Sequence, residues 1–292
     1  MILIDPPRWP AHGTLFSHLV SDSSLDELHL FAAAAGVHPR AFDHDHYDVR
    51  QSTYRACVAA GAVEVSGAEL VRRLVAGGLR VRTPDRAPKQ HTVVPGLLEA
   101  WAETVPGQGA LGRDLVRRWR QEHRHYHDVR HLADVLSGLE RVGADAADRP
   151  VRLAAWFHDA VYDGADGDEE RSAALAAELL DGVASAGEVD EVVRLVRLTR
   201  THDPSRADRA GAALSDADLA VLAAPAARYD IYVRDVRVDY AHVGDSAWAL
   251  GRTRVLDDLL GRERLFATRY GVAHWESAAR ANLLRERRRW SA

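Results

Sequence analysis

The amino-acid sequence predicts a multidomain protein, in which a small α/β domain precedes an all-α helical bundle. Three observations lead to this prediction. The chain of 292 residues is longer than a typical domain of about 100 to 150 residues. Its first part mixes short apolar runs with helical periods, whereas the pattern is helical throughout from Leu97 onward. Between the two parts, the run TPDRAPKQHTVVPG contains three prolines and no sustained period, as linkers do.

The N-terminal domain is predicted over residues 1–85. Ile2–Ile4 has the apolar character of a buried strand. Ser24–Ala35 is predicted to form a helix, because Ser24 and Glu27 have the spacing of a capping box. The remaining predicted elements are the helix Gln51–Ala60 ending at Gly61, the strand Ala62–Val65, and the helix Ala68–Val75 closed by Gly77 and Gly78.

A linker is predicted over residues 86–96 and the helical bundle over residues 97–292. No strand pattern competes with the helical periods there, which predicts an all-α fold. The clearest predicted helices are Leu111–Gln121, Val129–Val142, Val151–Tyr162, Glu169–Leu180 and Val189–Thr201, with several more up to Arg288.

Composition and charge narrow the classes of function. A net charge of -5 and a pI near 6.3 argue against a broad basic surface for nucleic acid. Cys57 is the single cysteine, which excludes an intramolecular disulfide or a cysteine-built zinc site and favours a reducing compartment. The sequence shows no signal-peptide pattern and no run of about 18 apolar residues. We therefore expect a cytoplasmic protein without a membrane partner.

The pair His158-Asp159 lies in RLAAWFHDAVYD, a segment apolar nearly all round and therefore predicted to be a buried helix. Burying an imidazole beside a carboxylate costs several kcal/mol unless each finds a partner, and a metal ion satisfies both. The other His-Asp pairs, at His44, His127 and His202, lack this setting. The alternative is a core histidine bonded to a carbonyl, beside an aspartate paired with an arginine.

Two further segments carry residues that suit the same ion. His123, His127 and His131 recur at intervals of four, so they share one helix face, and His131 opens an amphipathic helix. In LSDADLAVL, Asp216 and Asp218 are predicted to begin a helix. We prefer Asp218 as the ligand and Asp216 as a cap or a support for the ligand. A solvated histidine cluster and two capping aspartates are the alternatives.

A histidine, a His-Asp pair and an aspartate in this order resemble the HD superfamily of metal-dependent phosphohydrolases. Residues 97–284 are most similar to an uncharacterised bacterial branch of predicted HD phosphohydrolases. The chain departs from that branch at Asp128 and Asp168, where the branch has asparagine, and at Glu122, where it has proline. The resemblance rests on RW followed by RHYH and RH, and on AAWFHDAVYD, EERSA, TRTH, LSDADLAVL, YVRDVRVDY and GRTRVL.

The resemblance implies a metal site formed by His131, His158, Asp159 and Asp218. Such a shell of nitrogen and oxygen ligands suits Mn, Fe, Co, Ni, Zn or Mg, so the identity of the ion stays open. We expect one divalent ion. A second ion, or support for the first, would use His127, His202, Asp216 and Glu169.

The predicted activity is hydrolysis of a phosphoester in a small phosphorylated metabolite, foremost a nucleotide, by metal-activated water that Asp159 orients. Contacts to the phosphate are expected from Arg124, Arg130, Arg237 and Arg252. The scaffold leaves three alternatives open. They are a cyclic phosphodiester or alarmone hydrolase, a non-catalytic metal- or nucleotide-binding regulatory module, and an oxygenase with two irons.

The N-terminal stretches FSHLVSDSSLDELHLFAAAAGV, FDHDHYDV and RACVAAGAVEVS resemble a small bacterial domain of unknown function. The polar residues of this domain are dense enough for a second site, whose ligand would be a metal, a nucleotide or a phosphate. A solvated, histidine-rich loop is the alternative. The residues predicted for this site are His18, Asp22, His29, His46 and Asp48.

Overall fold

A computed structural model of the chain describes residues 1–38, 41–83, 86–143 and 148–290. The chain divides into two compact units, Met1–Arg86 and Ala87–Ala292. Residues 84 and 85, with which the predicted N-terminal domain ends, lie outside the described residues, as do residues 291 and 292 at the end of the predicted bundle.

The first unit is an α/β fold, as predicted. The strands are β1 (Ile2–Ile4), β2 (Trp9–Ala11), β3 (Thr14–Ser21), β4 (Phe42–Asp43), β5 (His46–Arg50) and β6 (Val63–Glu64); the helices are α1 (Leu25–Ala34), α2 (Gln51–Ala59) and α3 (Gly67–Ala76). The sheet has the strand order β4-β5-β3-β1-β6, and β2 pairs with β3. The pairing of β1 with β6 is parallel, and the other pairings are antiparallel.

Helices cover both faces of this sheet. Side chains alternate along β1, so Ile2 and Ile4 join a buried cluster with residues of α1 and α2, while Leu3 packs with Leu70 and Leu74 of α3. The predicted cap of α1 is present, because the Ser24 hydroxyl accepts the backbone N–H of Glu27 at 3.1 Å. The polar side chains of β3 and β5 are therefore presented by a sheet that is anchored on both sides.

The second unit is helical throughout its described residues. The helices are α4 (Gln90–Thr104), α5 (Gly109–Trp119), α6 (Val129–Val142), α7 (Arg149–Phe157), α8 (Asp168–Leu180), α9 (Ala186–Leu198), α10 (Arg209–Asp218), α11 (Ala226–Asp239), α12 (Asp245–Gly261), α13 (Arg269–His274) and α14 (Glu276–Arg289). A 3-10 helix, Leu219–Ala223, follows α10 directly.

Helix α4 runs through the second half of the predicted linker. Pro95 lies inside this helix, where proline costs roughly 3 kcal/mol. The same helix buries Leu97 and Trp101, and burying two such side chains contributes about 4 kcal/mol. The free energy gained by packing against the core therefore outweighs the cost of a proline inside the helix.

Helix α7 ends at Phe157, earlier than the predicted end at Tyr162. The Ser172 hydroxyl of α8 forms both backbone hydrogen bonds of Val161. It accepts the Val161 N–H and donates to the Val161 carbonyl, each at 3.1 Å. These groups are satisfied outside a helix. As a result, His158 caps α7 and Asp159 lies in the turn beyond it.

Asp216 and Asp218 end helix α10, whereas the sequence predicted that they begin a helix. The cap of α10 is Asp208, whose side chain accepts the N–H of Gly211 at 2.9 Å. The sequence around an aspartate that borders apolar residues does not show whether the residue begins or ends a helix. Here the N-cap, Asp208, lies at the opposite end of α10 from Asp216 and Asp218.

The core of the second unit brings α6 and α10 together. Trp101, Trp119 and Trp156 are fully buried in it. Gly138 of α6 lies against α10 so closely that a Cβ atom there would be 3.0 Å from the Cα of Ala217. This close approach packs the second half of α6 against the end of α10.

Among the described residues, the only membrane-spanning pattern by length and composition is a helix pair, Arg209–Ala223 with Ala226–Asp239, bent by 107°; no single helix meets that test.

Candidate metal centre

Four predicted ligands converge in the interior of the second unit. The Nε2 atoms of His131 and His158 are 3.2 Å apart. Oδ1 of Asp218 lies 3.1 Å from Nε2 of His131 and 3.6 Å from Nε2 of His158. Oδ2 of Asp159 lies 3.9 and 3.5 Å from the same two nitrogens. The side chains of both histidines are at most 3% exposed.

These separations fit the donor set of a transition-metal ion. Ligand atoms about 2.1 Å from one ion lie about 3.0 Å apart at a right angle and about 3.4 Å apart at the tetrahedral angle, and the observed separations run from 3.1 to 3.9 Å. Two nitrogens and two carboxylates suit several divalent ions. His131, His158 and Asp159 also meet as a compact group of ligand atoms, all within 4.8 Å of one another.

The charges of the site suit a cation. Burial by itself raises the pKa of the Asp218 carboxyl, but His158 and His131 outweigh it and lower that pKa, so Asp218 is anionic. Nδ1 of His158 bonds to the carbonyl of Ala155 at 2.9 Å. This bond fixes the imidazole and leaves Nε2 as the ligand atom, which is the usual arrangement of a metal-binding histidine.

The start of α6 is set by Asp128, which places His131 in the first turn of the helix. The buried Asp128 carboxylate accepts the backbone N–H of Arg130 at 2.7 Å and bonds to its side chain. It also accepts the side-chain amide of Gln90 at 2.9 Å. The aspartate that replaces the asparagine of the resembling branch thus has a cationic partner in Arg130.

Two further histidines lie beside the ligands. Nε2 of His202 is 3.7 Å from Oδ2 of Asp218. Burial lowers the pKa of His202, so its imidazole is neutral, and its buried Nδ1 atom has no hydrogen-bond partner among the described residues. The ring of His127 lies 5.6 Å from that of His131. Both residues are therefore placed to contact a substrate or a second ion.

Asp216 and Glu169 are placed differently from the ligands. Asp216 accepts the backbone N–H groups of Ala267 and Thr268, each at 2.8 Å, and the Thr268 hydroxyl at 2.6 Å. It therefore holds the start of α13, away from the ligand cluster. Glu169 lines the cavity described next.

A cavity of about 770 Å³ opens beside the ligands and is lined by Asp159, Asp218, His127 and His202. Its volume is in the range of small-molecule sites. Most of its remaining wall is aromatic or aliphatic. These walls include Tyr126, Tyr162, Leu219, Val221, Tyr232, Val236, Tyr240, Trp248 and Val255.

Arg124 and Arg130, predicted to bind phosphate, are hydrogen-bonded within the protein. Arg124 is buried and donates to the carbonyls of Asp159 at 2.7 Å and Ala160 at 3.3 Å. Its guanidinium also lies 5.5 Å from the ring of Trp119. Arg130 bonds to Asp128, as described above. Their positions give no support to the predicted phosphate contacts, because they hold the backbone around the site instead.

Arg237 and Arg252 are also hydrogen-bonded within the protein. Arg252 bonds through Nε and Nη2 to Glu286 at 2.8 and 3.0 Å, and Arg237 donates to two backbone carbonyls and to Asp245. Arg252 still lines the cavity, as do Arg262, Arg200 and Arg254. Within the described part of the chain, Arg262 is hydrogen-bonded to Thr201, His202 and Asp258, whereas no such bond engages the guanidinium groups of Arg200 and Arg254. No signal in the sequence separated these two from the many other arginines.

Asp239 lies beside the candidate site and was not predicted from the sequence. Its side chain is buried and lies 2.8 Å from Nδ1 of His127, which leaves Nε2 of that ring available to the cavity. It also accepts the backbone N–H groups of His125 and His127. The residue lies in the stretch YVRDVRVDY, but only the fold shows that it faces the loop before α6.

In the first unit, the structure brings together three of the five predicted residues, His18, His46 and Asp48. Burial lowers the pKa of His46, but hydrogen bonds to Asp45 and Asp48 outweigh this effect and raise the pKa to about 9. The other two predicted residues bond elsewhere. Asp22 accepts the N-terminal ammonium at 2.7 Å, and Nδ1 of His29 lies 2.8 Å from the Tyr47 hydroxyl.

Comparison with known proteins gives a match in the first unit. Residues 2–77 match the family described as "Protein of unknown function (DUF4031)". This match confirms the predicted N-terminal domain of unknown function and brings no activity with it. No curated protein and no solved structure matches the chain. The resemblance of the second unit to the HD superfamily has no family match behind it and stays a prediction.

Proposed function

We propose that the second unit is a metal-dependent phosphohydrolase of the HD type, acting on a small phosphorylated metabolite. The observation that carries this proposal is the convergence of His131, His158, Asp159 and Asp218, at the edge of a cavity that admits a ligand. With these four as the protein ligands, a six-coordinate ion keeps positions open for water and a substrate oxygen, as catalytic sites require.

When bound, a divalent ion supplies an acidified water and polarises a phosphoryl oxygen. The chain supplies the positions of the reacting groups. The neutral His202 faces Asp218 from the cavity side and is placed to exchange a proton with a bound phosphate. His127, held through Nδ1 by Asp239, presents its other nitrogen to the cavity. The largely apolar wall beside both histidines strengthens their interactions with an anion.

The cavity favours a phosphorylated compound with a flat apolar part, which supports a nucleotide as substrate. Tyr232, Tyr240 and Trp248 line the cavity, and aromatic side chains suit contact with the flat apolar surface of a base. Arg200 and Arg254 line the same cavity and provide guanidinium groups that suit phosphate oxygens. An apolar wall together with cations beside a metal site matches both parts of such a substrate.

The test is metal analysis of the purified full-length chain, combined with turnover of nucleoside mono- and triphosphates, cyclic dinucleotides and an aryl phosphate under each divalent metal. Asp218→Asn should lose bound metal and lower turnover by at least about 100-fold, since loss of an outer partner alone costs 10- to 100-fold. Asp134→Asn is the matched control, because Asp134 lies on α6 with its side chain 56% exposed.

A well-folded Asp218→Asn variant with unchanged turnover would exclude this site as the centre of the reaction. Loss of metal from that variant, together with absence of turnover for every substrate in the wild-type chain, would favour the regulatory module over the enzyme. Two irons per chain with a visible absorption band would favour the oxygenase.

A further inference from the structure

A second group of metal-ligand side chains lies on one face of the sheet in the first unit. His18 of β3 and Asp48 of β5 are directly opposite in the antiparallel register. His46 precedes Asp48 by two positions, so its side chain points to the same face. One ligand atom from each of these residues lies within 4.8 Å of the others.

Both imidazoles are oriented by buried carboxylates. Nδ1 of His18 lies 3.0 Å from Oδ2 of Asp5, and Nδ1 of His46 lies 2.6 Å from Oδ1 of Asp45. Each bond leaves the Nε2 atom as the free ligand, and Nε2 of His46 is 3.5 Å from Oδ1 of Asp48. A carboxylate behind each ligating histidine is the arrangement that proteins use to fix the ring and raise its basicity.

The supporting carboxylates are themselves held in place. Asp45 accepts the backbone N–H of Val81 at 2.7 Å and is paired with Arg80 at 3.1 Å. Asp5 accepts the backbone N–H of His18 at 2.5 Å. Both carboxylates are buried. The two rings are thus fixed before any ligand arrives, which reduces the entropy lost on binding.

The ligand side of the group is open to solvent. The side chains of His18 and Asp48 are 28% and 44% exposed, whereas that of His46 is 9% exposed. An ion can therefore enter, and three protein ligands leave further positions for water or a second ligand. Two imidazoles and one carboxylate are the ligands that divalent transition ions select, in contrast to the all-oxygen sites of calcium.

We propose that His18, His46 and Asp48 bind a divalent transition ion of the Zn²⁺ type. The inference is independent of the proposed function, because the three residues belong to the first unit and the phosphohydrolase ligands belong to the second. It gives the domain of unknown function a metal site. The alternative to a metal site is an ion-pair cluster, in which a protonated His46 bridges Asp45 and Asp48.

Equilibrium dialysis of the full chain against Zn²⁺ tests the proposal, with elemental analysis of the bound ion. Asp48→Ala should lower the bound Zn²⁺ by one equivalent and leave the ion of the second unit in place. Asp218→Asn should show the reverse. Glu69→Gln is the matched control, because it removes a carboxylate on α3 that pairs with Arg72 and Arg73 and lies outside the cluster.

Co²⁺ gives a second readout, since its visible spectrum reports the ligands of the ion. His18→Gln should remove the same spectral component as Asp48→Ala, with circular dichroism as the check on folding. Wild-type Zn²⁺ stoichiometry in both folded variants would overturn the proposal. So would a wild-type chain whose bound Zn²⁺ is removed entirely by Asp218→Asn.

Discussion

The carboxylate of Asp239 lies 2.8 Å from Nδ1 of His127, so the last residue of α11 holds a histidine of the loop that precedes α6. The same carboxylate accepts backbone N–H groups from that loop. One buried side chain therefore fixes both the course of the loop and the orientation of a ring in the cavity, and its removal has consequences for stability and for pH dependence.

We expect Asp239→Ala to lower the free energy of unfolding of the second unit by about 3 kcal/mol, because it leaves buried N–H groups without an acceptor. Guanidinium denaturation followed by tryptophan fluorescence measures this, since every tryptophan except Trp9 belongs to the second unit. Asp245→Ala is the control, as its side chain is 95% exposed. Equal stability of the two variants would contradict the role assigned to Asp239.

The stability of the second unit should fall in acid partly through Asp239. Burial raises the pKa of this carboxyl, but its bonds to His125 and His127 outweigh burial and lower the pKa below the ordinary value. The stabilisation is thus present above about pH 4 and is lost as the pH falls toward the lowered pKa. Asp239→Asn should flatten the decline of the melting temperature below about pH 4. Parallel curves for the variant and the wild type would argue against this assignment.

Removal of metal should destabilise the second unit, because an ion bound only by the folded state adds about 2.7 kcal/mol at a hundredfold excess over its dissociation constant. A chelator should therefore lower the melting temperature seen by tryptophan fluorescence, and Zn²⁺ or Mn²⁺ should restore it. Asp218→Asn should melt at one temperature with or without chelator. A chelator effect that persists in this variant would place the stabilising ion elsewhere.

Gly138→Ala should weaken the metal site without touching a ligand. The added methyl group meets the backbone of Ala217 at 3.0 Å, and such overpacking typically costs about 1 to 3 kcal/mol. The resulting shift of α10 against α6 separates Asp218 from His131 and raises the dissociation constant of the ion. Gly187→Ala is the control, since a Cβ atom there meets nothing within 4 Å; equal metal affinity in both variants would contradict this prediction.

Arg254→Gln should raise the KM for a phosphorylated substrate by about tenfold, the effect of losing one charge-assisted hydrogen bond of about 1.5 kcal/mol. Arg197→Gln is the control, because Arg197 pairs with the exposed Glu170 and does not line the cavity. Steady-state kinetics on the substrate found in the screen measures the effect. An unchanged KM would remove Arg254 from the substrate contacts.

The sequence predicted the metal-ligand residues where polar side chains fall in apolar segments. His158 and Asp159 lie in a segment so apolar that two polar groups need a shared partner, and His131 lies at the start of a strongly amphipathic helix. The structure brings these three residues together. Helix α6 itself runs over Val129–Val142, as predicted.

The rest depends on contacts between distant segments. The partners of Arg124 and Arg252 are backbone carbonyls and Glu286, far away in the chain, so no local pattern marked these arginines as structural. Strand β5 was missed although its five residues, His46 to Arg50, alternate polar and apolar side chains, because so short a run is a weak signal. Strand β3 was missed as well, and its pairing with β5 joins segments that are far apart in the sequence.

Asp216 and Asp218 lie two positions apart at the end of α10 and contact different parts of the protein. Asp216 accepts backbone N–H groups at the start of α13, and Asp218 lies against the histidines of the site. One helical turn therefore holds both the start of α13 and a ligand of the proposed centre. We expect a displacement of Asp218 to reach Ala267 and Thr268 through this turn, so that the C-terminal helices depend on the proposed centre without contributing a ligand to it.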